Sequence, residues 1–467
     1  MTMIEKNVQY YAEKGKQLVE RVEKKRENMR KKKFDTIAVH GLYSLEDALE
    51  NNGSIIEPIY MSSAQQYENS NHLEAAQEQQ IPSWIYTRIT NPTLTYVEET
   101  IAMLEGYKLS EKTSAVLTSS GMAAVFMATN PFLANCEGAN IVVDARCYGG
   151  TFTIFNERYK GERGLEIRWV KDSLDLNEWE EKMDENTRFV YAETPANPSL
   201  NLTDVKALSE IAHKKGIAVI VDSTLATPAL FRPLEHGADI VVHSVSKAMA
   251  ASGSVIAGAI ISKNEIVSNF LSEEIKKDFV TYVKFNPMRD HGTALSPISA
   301  FFVLNDLRSL RSRVDLMSDN AMKVAEFLNS LDQVECVSYP GLESHPGHSV
   351  AKSLMKLADS EDENGEEINR YGYLLSFNVK GGHQAARDLL DQFKIIWTAT
   401  DLGRVKSVAT LPTISTHRQQ GDEGRKLASL PSNLIRLSIG IEDVEDIIED
   451  LNQAFKAIQT KSQVQHQ

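Results

Sequence analysis

The stretch IAVIVDSTLATPALFRPLEHGADIVVHSVSK, residues 217–247, contains two short apolar runs that each end in polar residues. The first run ends at Asp222, and Lys247 follows the second run, residues 240–242. Short runs rich in Val and Ile, bounded by turn residues, are typical of buried strands. An ammonium at the end of such a strand tends to lose its proton, and a neutral lysine is a nucleophile. The stretch therefore predicts two buried strands with candidate functional residues at their ends.

Similar apolar runs lie on both sides of this stretch. They are SAVLTS (114–119), NIVVDA (140–145), LEIRWV (165–170), RFVYAE (188–193) and VIAGAIIS (255–262). Longer amphipathic segments such as DVKALSEIAHKKG separate them. This alternation predicts a mostly parallel sheet covered by helices on both faces, which is an α/β architecture. From about residue 296, helical segments and mixed strands predict a smaller α/β domain.

We therefore predict three parts of the chain. Residues 1–95 form an N-terminal extension and arm, residues 96–295 a large α/β domain, and residues 296–467 a C-terminal α/β domain. The first, charged part of the extension ends in the basic run KKRENMRKKKF, residues 24–34. Such a run is either an interaction arm or, more commonly, the solvated face of a helix.

Composition excludes several classes of partner and site. The 467 residues carry a net charge of −14, which argues against nucleic acid or an anionic membrane as the main partner. Cys136, Cys147 and Cys336 are too few and too scattered for a disulfide framework or a zinc site, and no metal site is predicted. The N-terminus has no apolar signal region, and no run of 18 apolar residues occurs, so the expected location is cytoplasmic.

Ligands of open α/β sheets bind at the carboxyl ends of the strands, so polar residues there are candidate site residues. TSSGMAAV (118–125) places Ser120, Gly121 and Met122 between a strand and a helix, where backbone N–H groups form a phosphate cradle. A serine N-cap followed by a glycine turn is the more common use of such residues.

Other strand ends carry complementary groups. Asp222 is a candidate partner for a cationic ring nitrogen, although aspartates also cap helices. Asn197, between two prolines, fits a rigid turn equally well. A lysine for an imine, a carboxylate and a phosphate cradle are together what pyridoxal 5'-phosphate (PLP) requires, and Tyr148 is placed to stack on its ring. The alternative is that these polar residues merely end strands.

The chain resembles the Cys/Met-metabolism (transsulfuration) family of PLP enzymes from about residue 34 to about residue 458. The family's motifs occur in order: YTRITNPTLTYVEETIAMLEG, TSSGMAAV, YGGTF, ETPANP, VDSTLATPALFRPLEHGADIVVHSVSK, YPGLESHPGH and LIRLSIGIEDVEDIIEDL. The resemblance implies an aspartate-aminotransferase-like fold (fold type I) with a large PLP domain and a smaller C-terminal domain. It also implies a homodimer with shared active sites, assembled into a homotetramer.

The resemblance further implies a role for each matching residue. Lys247 forms the Schiff base and moves protons, Asp222 pairs with the pyridinium nitrogen, and Tyr148 stacks on the ring and takes part in catalysis. The remaining cofactor contacts are assigned to Ser120, Gly121, Met122, Asn197, Thr224, Ser244 and Ser246, with Tyr86 and Arg88 reaching the phosphate of the neighbouring subunit.

Residues on the substrate side match the family less well. Arg436 is assigned to the α-carboxylate of the substrate, with a surface salt bridge as the alternative. Asp401 stands where the family has Ser or Asn, and its carboxylate would repel the substrate unless it is protonated or turned away. After Lys247 the family usually has an aromatic residue, glycines and a histidine, whereas residues 248–252 are Ala, Met, Ala, Ala and Ser.

The resemblance predicts γ-replacement on an O-acylated homoserine by sulfide or a thiol, as in O-acetylhomoserine sulfhydrylase or cystathionine γ-synthase. The product is homocysteine or a thioether of methionine biosynthesis. A γ- or β-lyase is the alternative, but methionine γ-lyases tend to carry Cys where this chain has Gly150. A catalytically idle homologue that only binds a ligand is the third possibility, motivated by Asp401 and the small residues after Lys247.

Overall fold

The structure, a computed structural model, describes residues 7–82 and 84–465. The first six residues of the predicted N-terminal extension and the last two of the predicted C-terminal domain lie outside the described residues. The boundaries of the three predicted parts stay a prediction. Among the helices of the described residues, none combines the length and apolarity needed to cross a bilayer.

The α-helices of the described chain are, in order, α1 Val8–Arg30, α2 Phe34–His40, α3 Leu45–Glu50, α4 Ser70–Gln77, α5 Pro92–Glu105, α6 Gly121–Thr129, α7 Gly149–Thr153, α8 Leu176–Lys182, α9 Val205–Lys214, α10 Thr227–Leu230, α11 Glu273–Lys277, α12 Phe279–Val283, α13 Arg289–His291, α14 Pro297–Leu307, α15 Leu310–Asn329, α16 His348–Leu354, α17 Gly382–Leu390, α18 Gly421–Leu427 and α19 Val444–Gln465.

The strands are β1 Thr113–Thr118, β2 Asn140–Asp144, β3 Glu166–Val170, β4 Thr187–Glu193, β5 Ala218–Asp222, β6 Ile240–His243, β7 Gly258–Lys263, β8 Val334–Ser338, β9 Lys356–Glu361, β10 Glu367–Asn369, β11 Leu374–Val379, β12 Trp397–Thr398, β13 Val408–Thr410 and β14 Leu434–Ser438. All seven apolar runs of residues 114–262 named from the sequence overlap a strand.

Within the described residues, β1 to β7 form a seven-stranded sheet in the order β1-β7-β6-β5-β4-β2-β3. Strands β2 to β6 pair in parallel, and β7 runs antiparallel to both β1 and β6. The predicted mostly parallel sheet is therefore confirmed. Because β4, β5 and β6 are adjacent and parallel, their carboxyl ends meet at one edge of the sheet.

Both faces of this sheet are buried, as the continuous apolar strands predict. Ala218 and Ile220 of β5 contribute to one hydrophobic core, and Val219 and Val221 contribute to the other. Successive side chains of a strand point to opposite faces, so a strand covered on both faces has no polar position along its length. Burial of each aliphatic side chain stabilises the folded chain by roughly 1.5–3 kcal/mol. This packing holds the strands in place and thereby positions the polar residues at their ends.

The C-terminal part contains a five-stranded sheet in the order β12-β13-β14-β11-β8, as far as the described residues extend. Its strands pair antiparallel except for β12 with β13. The smaller α/β unit predicted from the sequence is thus confirmed. Leu375 of β11 and Ile435 of β14 belong to the same hydrophobic core as one face of the large sheet. The two sheets are therefore joined by continuous apolar packing.

The basic N-terminal run is held by the rest of the chain more than the sequence predicts. Arg26 of α1 is buried, and its Nε and Nη2 donate to both carboxylate oxygens of Glu99 in α5, at 2.8 and 2.5 Å. Lys25 pairs with Asp47 of α3 at 2.7 Å. Lys31 and its basic neighbours at 32 and 33 are exposed. The predicted solvated face is therefore only part of the run, because charge pairing draws the other part inward.

Candidate active site

A cavity of about 430 Å³ opens at the carboxyl ends of β4, β5 and β6. Two walls enclose it. The sheet wall consists of the lining residues between positions 120 and 256, and the C-terminal wall consists of Thr400, Asp401, Leu402, Arg404, Thr416 and Arg436. The cavity brings together every site residue predicted from the sequence except Tyr86 and Arg88.

The N-terminus of α6 provides an anion cradle on the sheet wall. The Ser120 side chain accepts the N–H of Ala123 as the N-cap, and in the part of the chain that the structure describes the N–H groups of Gly121 and Met122 meet no acceptor. A Cβ placed on Gly121 would lie 2.6 Å from Cβ of Ser244, so only glycine allows this close approach. Two unpaired N–H groups at a helix N-terminus, beside a free serine hydroxyl, suit a phosphate.

Asp222 lies at the end of β5, directly opposite Glu193 at the end of β4. Its Oδ1 accepts the N–H of Thr224 at 3.0 Å and its Oδ2 accepts the hydroxyl of Tyr191 at 3.3 Å. Burial raises the pKa of Asp222, while Thr224, the nearby His243 and Tyr191 oppose that rise. Thr224 also accepts the N–H of Ser244 through its own hydroxyl, at 2.8 Å. These contacts favour the charged form of Asp222, but burial outweighs them and the pKa stays above its ordinary value. Asp222 lines the cavity.

Glu193 is a buried carboxyl for which no role was predicted from the sequence. It accepts the backbone N–H of Tyr148 at 2.6 Å and that of Asn197 at 2.8 Å. Burial and the neighbouring Asp222 raise the pKa of Glu193 well above its ordinary value. The N–H groups of Tyr148 and Asn197 oppose this rise, because they stabilise the charged form. Glu193 also links the two loops that carry Tyr148 and Asn197.

Lys247 follows β6 at the edge of the sheet, four residues beyond His243. Its Nζ donates to Oδ1 of Asp401 at 3.1 Å, across the cavity. Burial lowers the pKa of Lys247, and the Asp401 carboxylate partly offsets this effect. Ser244 presents its hydroxyl without a hydrogen-bond partner among the described residues. The hydroxyl of Ser246 instead donates to the carbonyl of Ala257 at 3.0 Å, so it is turned toward the strand rather than toward a phosphate.

Arg436 lies in β14 and is almost completely buried, which excludes the surface salt bridge considered from the sequence. Its Nη1 donates to Oδ1 of Asn197 at 3.1 Å, and its Nη2 donates to the carbonyls of Thr400 and Asp401 at 3.1 and 2.8 Å. Its Nε meets no partner among the described residues. Burial lowers the pKa of Arg436 to about 10, which still leaves it charged at neutral pH. A buried cation with an unpaired donor is suited to an incoming carboxylate.

Asp401 does not face Arg436 with its carboxylate. Its Oδ1 accepts from Lys247 and from the N–H of Leu402, and its Oδ2 accepts from Nε of Arg404. Burial acts to raise the pKa of Asp401, but Lys247 and Arg404 bring it below its ordinary value. The carboxylate is therefore charged and turned away from the Arg436 guanidinium. This orientation is one of the two ways, considered in the sequence analysis, to avoid repulsion of the substrate carboxylate. Arg404 was not identified from the sequence.

Tyr148 precedes α7, and its ring packs directly on Gly150. A Cβ placed on Gly150 would lie 2.6 Å from Cε1 of Tyr148 and 3.0 Å from Sδ of Met122. Burial raises the pKa of Tyr148, and Glu193 adds to the effect while Arg436 opposes it. The phenol therefore keeps its proton at neutral pH.

Tyr86 and Arg88 lie outside the cavity of their own chain. Tyr86 is 43% exposed, and the Arg88 guanidinium lies 5.4 Å from the centre of its ring. Arg88 also donates to the carbonyl of Arg289. Within the described residues, no cluster of three or more His, Cys, Asp or Glu side chains is arranged to hold a metal ion.

Comparison with known proteins assigns the chain to a family. Residues 35–456 match the family described as Cys/Met metabolism PLP-dependent enzyme. The chain belongs to this family. Among curated relatives, L-methionine gamma-lyase of Fusobacterium nucleatum subsp. polymorphum is 37% identical over 407 residues, which cover 87% of this chain and 94% of the relative. O-acetyl-L-homoserine sulfhydrylase of Corynebacterium glutamicum is 32% identical over 449 residues, which cover 91% and 97%.

The similarity extends to solved structures of this PLP-dependent family. A putative O-acetylhomoserine (thiol)-lyase of Campylobacter jejuni has a TM-score of 0.79 and 32% identity, and the match covers 91% of this chain and 100% of that chain. That structure contains an N'-pyridoxyl-lysine-5'-monophosphate residue. Fold type I is thereby confirmed, and the cofactor of the family is PLP.

The residues present fit this cofactor. The unpaired N–H groups of Gly121 and Met122 suit its phosphate, the Asp222 carboxyl suits a protonated ring nitrogen, and Lys247 faces the same cavity. Arg404 and the pairing of Glu193 were missed from the sequence. The position of Glu193 at the end of β4 was the signal available in the sequence. Its partners could not be predicted, because Tyr148 is 45 residues away and Asn197 is brought to it by a turn.

Proposed function

We propose that this PLP-dependent enzyme catalyses γ-replacement on an O-acylated homoserine, with sulfide or a thiol as the incoming nucleophile. The packing of Tyr148 on Gly150 is the observation that favours replacement over elimination. The Cβ of a cysteine at 150 would fall 2.6 Å from the Tyr148 ring, so the ring occupies the space that such a side chain needs. The resemblance associates that cysteine with methionine γ-lyases, and its absence supports replacement.

The residues of the cavity have distinct tasks in this proposal. Arg436 binds the α-carboxylate of the substrate, because it is buried, charged and has an unpaired Nε. Lys247 takes the proton from Cα and returns protons to the substrate, since burial lowers the pKa of its amine and favours the neutral form. Tyr148, whose phenol is protonated, donates to the leaving group at Cγ. PLP supplies the electron sink that stabilises negative charge at Cα.

Binding of the cofactor rests on the sheet wall. We assign the phosphate to the N–H groups of Gly121 and Met122 and the hydroxyl of Ser244, with Ser120 capping the helix behind them. Asp222, held by Thr224, keeps the ring nitrogen protonated. Asn197 would hold the 3-oxygen of the cofactor through its side-chain N–H₂, because its Oδ1 is already used by Arg436. Ser246 contributes its position rather than its hydroxyl.

Elimination is the second candidate function. It is favoured by the identity of up to 37% to curated methionine γ-lyases. Replacement and elimination share the proton transfers by Lys247 and differ in whether a thiol enters before the product leaves.

The location of the protein in the cytoplasm remains a prediction from the sequence.

The test supplies O-acetylhomoserine with and without sulfide and measures homocysteine and 2-oxobutanoate in the same reaction. Replacement predicts homocysteine as the main product, at least about tenfold over the 2-oxo acid. Methionine without sulfide should give little 2-oxobutanoate. Predominant 2-oxo acid from either substrate would instead establish a lyase, and no turnover of any γ-substituted amino acid by cofactor-loaded protein would support the idle homologue.

A Gly150→Cys variant tests the supporting contact. We expect the variant to lose replacement activity and to gain 2-oxo acid relative to wild type. Gly161→Ala is the matched control, since the nearest atom to a Cβ at 161 is 3.7 Å away. An unchanged product ratio in Gly150→Cys would remove Gly150 as an argument for replacement.

We also propose that Tyr86 and Arg88 complete the site of a second copy of the chain, because they lie outside their own cavity and are accessible. Mixing Arg88→Ala with Lys247→Ala protein during subunit exchange should restore activity, since one hybrid site then keeps both residues. If neither mixture nor co-expression restores activity, Arg88 acts within its own chain.

A further inference from the structure

The Asp401 carboxylate, where the chain departs from the family pattern, is held in place independently of Lys247. The N–H of Leu402 donates to its Oδ1 at 2.9 Å, and Nε of Arg404 donates to its Oδ2. Only the third contact, with Nζ of Lys247 at 3.1 Å, involves a mobile amine. The carboxylate therefore remains in place when the amine moves away.

Arg404 is itself fixed by the segment that follows Lys247. Its Nη1 donates to the carbonyl of Ala250 at 2.9 Å. A Cβ on Gly253 would lie 3.6 Å from Cδ and Nε of Arg404, so the guanidinium packs along this turn. The segment 248–252, which does not match the family, thus supports Arg404 through the backbone carbonyl of Ala250. The two departures from the family pattern are parts of one arrangement.

The electrostatic surroundings of Lys247 come from both walls. Asp401 raises the pKa of its amine, whereas burial, Arg404 and Arg436 lower it. The other titratable groups facing the cavity are Tyr148, Glu193 and Asp222, and Tyr373 lies behind the turn at Gly403. Asp401 is the carboxylate in contact with Nζ, and Arg404 is the cation in contact with that carboxylate.

We propose that Asp401 is a positioning residue: its carboxylate, held by Arg404, is the fixed ion-pair partner of the Lys247 amine whenever that amine is protonated. In the working enzyme, Lys247 becomes an ammonium each time it takes the proton from Cα. Asp401 then holds the ammonium in reach of the substrate, and Arg404 limits how strongly the proton is retained. The inference rests on the proposed role of Lys247 and not on the choice between replacement and elimination.

The first test measures the titration of Lys247 directly. Full-length protein freed of cofactor is methylated reductively at a series of pH values, and the extent at Lys247 is read by peptide mass spectrometry. Only the neutral amine reacts. Asp401→Asn should lower the midpoint by about one pH unit, because it removes the anionic partner. Arg404→Gln should raise the midpoint by about half a pH unit, because it removes a cation.

Opposite signs distinguish positioning from general damage, which has no reason to move the two midpoints in opposite directions. Asp401→Glu keeps the carboxylate and should restore the midpoint toward that of wild type. Asp391→Asn is the matched control, since Asp391 is exposed on the same domain. An unmoved midpoint in Asp401→Asn, or shifts of the same sign in both variants, would overturn the proposal.

A second readout uses the holoenzyme and does not depend on turnover. The visible absorption band of the cofactor linked to Lys247 is titrated with pH in wild type and variants. Asp401→Asn should lose the band of the protonated form at a lower pH, by about one unit, and equal midpoints would contradict the inference. Failure of the proposed replacement reaction is distinguished separately, because it is seen as missing homocysteine while these midpoints still shift.

Discussion

The two walls of the cavity differ in how their residues are assembled. On the sheet wall, Gly121 and Lys247 follow β1 and β6 and Asp222 ends β5, so a short motif places each of them at one edge of the sheet. On the C-terminal wall, Arg436 contacts Asn197, 239 residues away, and Asp401 contacts Lys247, 154 residues away. Local motifs therefore determine the cofactor side, whereas long-range packing determines the substrate side.

The walls also differ in charge. The sheet wall offers uncharged N–H donors at α6 and the buried pair of Asp222 and Glu193. The C-terminal wall offers two guanidinium groups, of Arg404 and Arg436, and one carboxylate, of Asp401. A phosphate and a cationic ring suit the first arrangement, and the α-carboxylate of an amino acid suits the second. Changes on the sheet wall should thus affect cofactor binding, and changes on the C-terminal wall should affect substrate binding.

The largest effect is expected for Lys247→Ala, because Lys247 contacts both walls. Turnover should fall by roughly 10³-fold or more, since the proton-transfer group and the covalent link are lost together. The visible absorption band of the bound cofactor should also disappear. Lys380→Ala, at an exposed position of the C-terminal part, is the control and should retain both. A Lys247→Ala enzyme that keeps the band would disprove the assignment.

The next effect is expected for Asp222→Asn on the sheet wall. The amide cannot hold the ring nitrogen protonated, so kcat should fall by about 10²–10³-fold. KM for the amino acid should change little, and the absorption of the bound cofactor should shift. Asp175→Asn, a capping residue of α8, serves as control because asparagine caps equally well. A rise in KM without loss of kcat would move Asp222 to the substrate side.

Arg436→Lys should separate the walls in the other direction. Lysine cannot reproduce the contacts with Asn197 and the two carbonyls, so KM should rise by about 10–10²-fold. The affinity for PLP should change much less, by about twofold, because Arg436 acts on the proposed cofactor contacts only through Asn197. Arg387→Lys, at an exposed position in α17, controls for the loss of a guanidinium. Equal weakening of PLP and substrate would show that the two walls are not separable.

A smaller effect is expected for Gly121→Ala. The added Cβ would meet Ser244 at 2.6 Å, so the N-terminus of α6 must shift away from the strand that it faces. The affinity for PLP should fall by about tenfold, with kcat at saturating PLP nearly unchanged. Titration of cofactor-free protein with PLP measures this affinity, and Gly161→Ala is again the control. Undiminished affinity would exclude the phosphate cradle at this position.

The smallest effect on turnover is expected for substitution of His417, which lies behind the C-terminal wall. Burial lowers the pKa of His417 to about 4, so the folded protein keeps this ring neutral. Below pH 6.5 the unfolded chain binds a proton that the folded chain does not, so stability falls as the pH decreases toward 4. The loss over this range is on the order of 3 kcal/mol for such a group.

Denaturant unfolding at pH 7 and pH 5 tests this dependence. His417→Gln should lose less stability between the two pH values than wild type does. His345, whose pKa burial also lowers to about 4, lies outside the cavity, and His345→Gln should behave in the same way. Identical pH dependence in wild type and both variants would show that neither ring is kept neutral by burial.

The sequence by itself determined the large sheet, the order of its strands along the chain and the cofactor side of the cavity. Each of these depends on local signals: a short apolar run produces a strand, and the residue after it lies at the carboxyl edge of the sheet. Lys247, Asp222 and Gly121 could be predicted to lie together for this reason, and they line one cavity. The apolar alternation also predicted a second α/β unit, which the sheet of β8 and β11 to β14 confirms.

Only the tertiary structure decided the orientation of the substrate-side groups. From the sequence, Asp401 was a carboxylate in conflict with an expected substrate carboxylate, and Arg404 was unremarked. Folding brings Asp401 to Lys247, places Arg404 beside it and buries Arg436 with one donor unpaired. The direction in which a charged side chain turns depends on partners that are remote in sequence, since ion pairs form between whatever charges packing brings within a few ångströms.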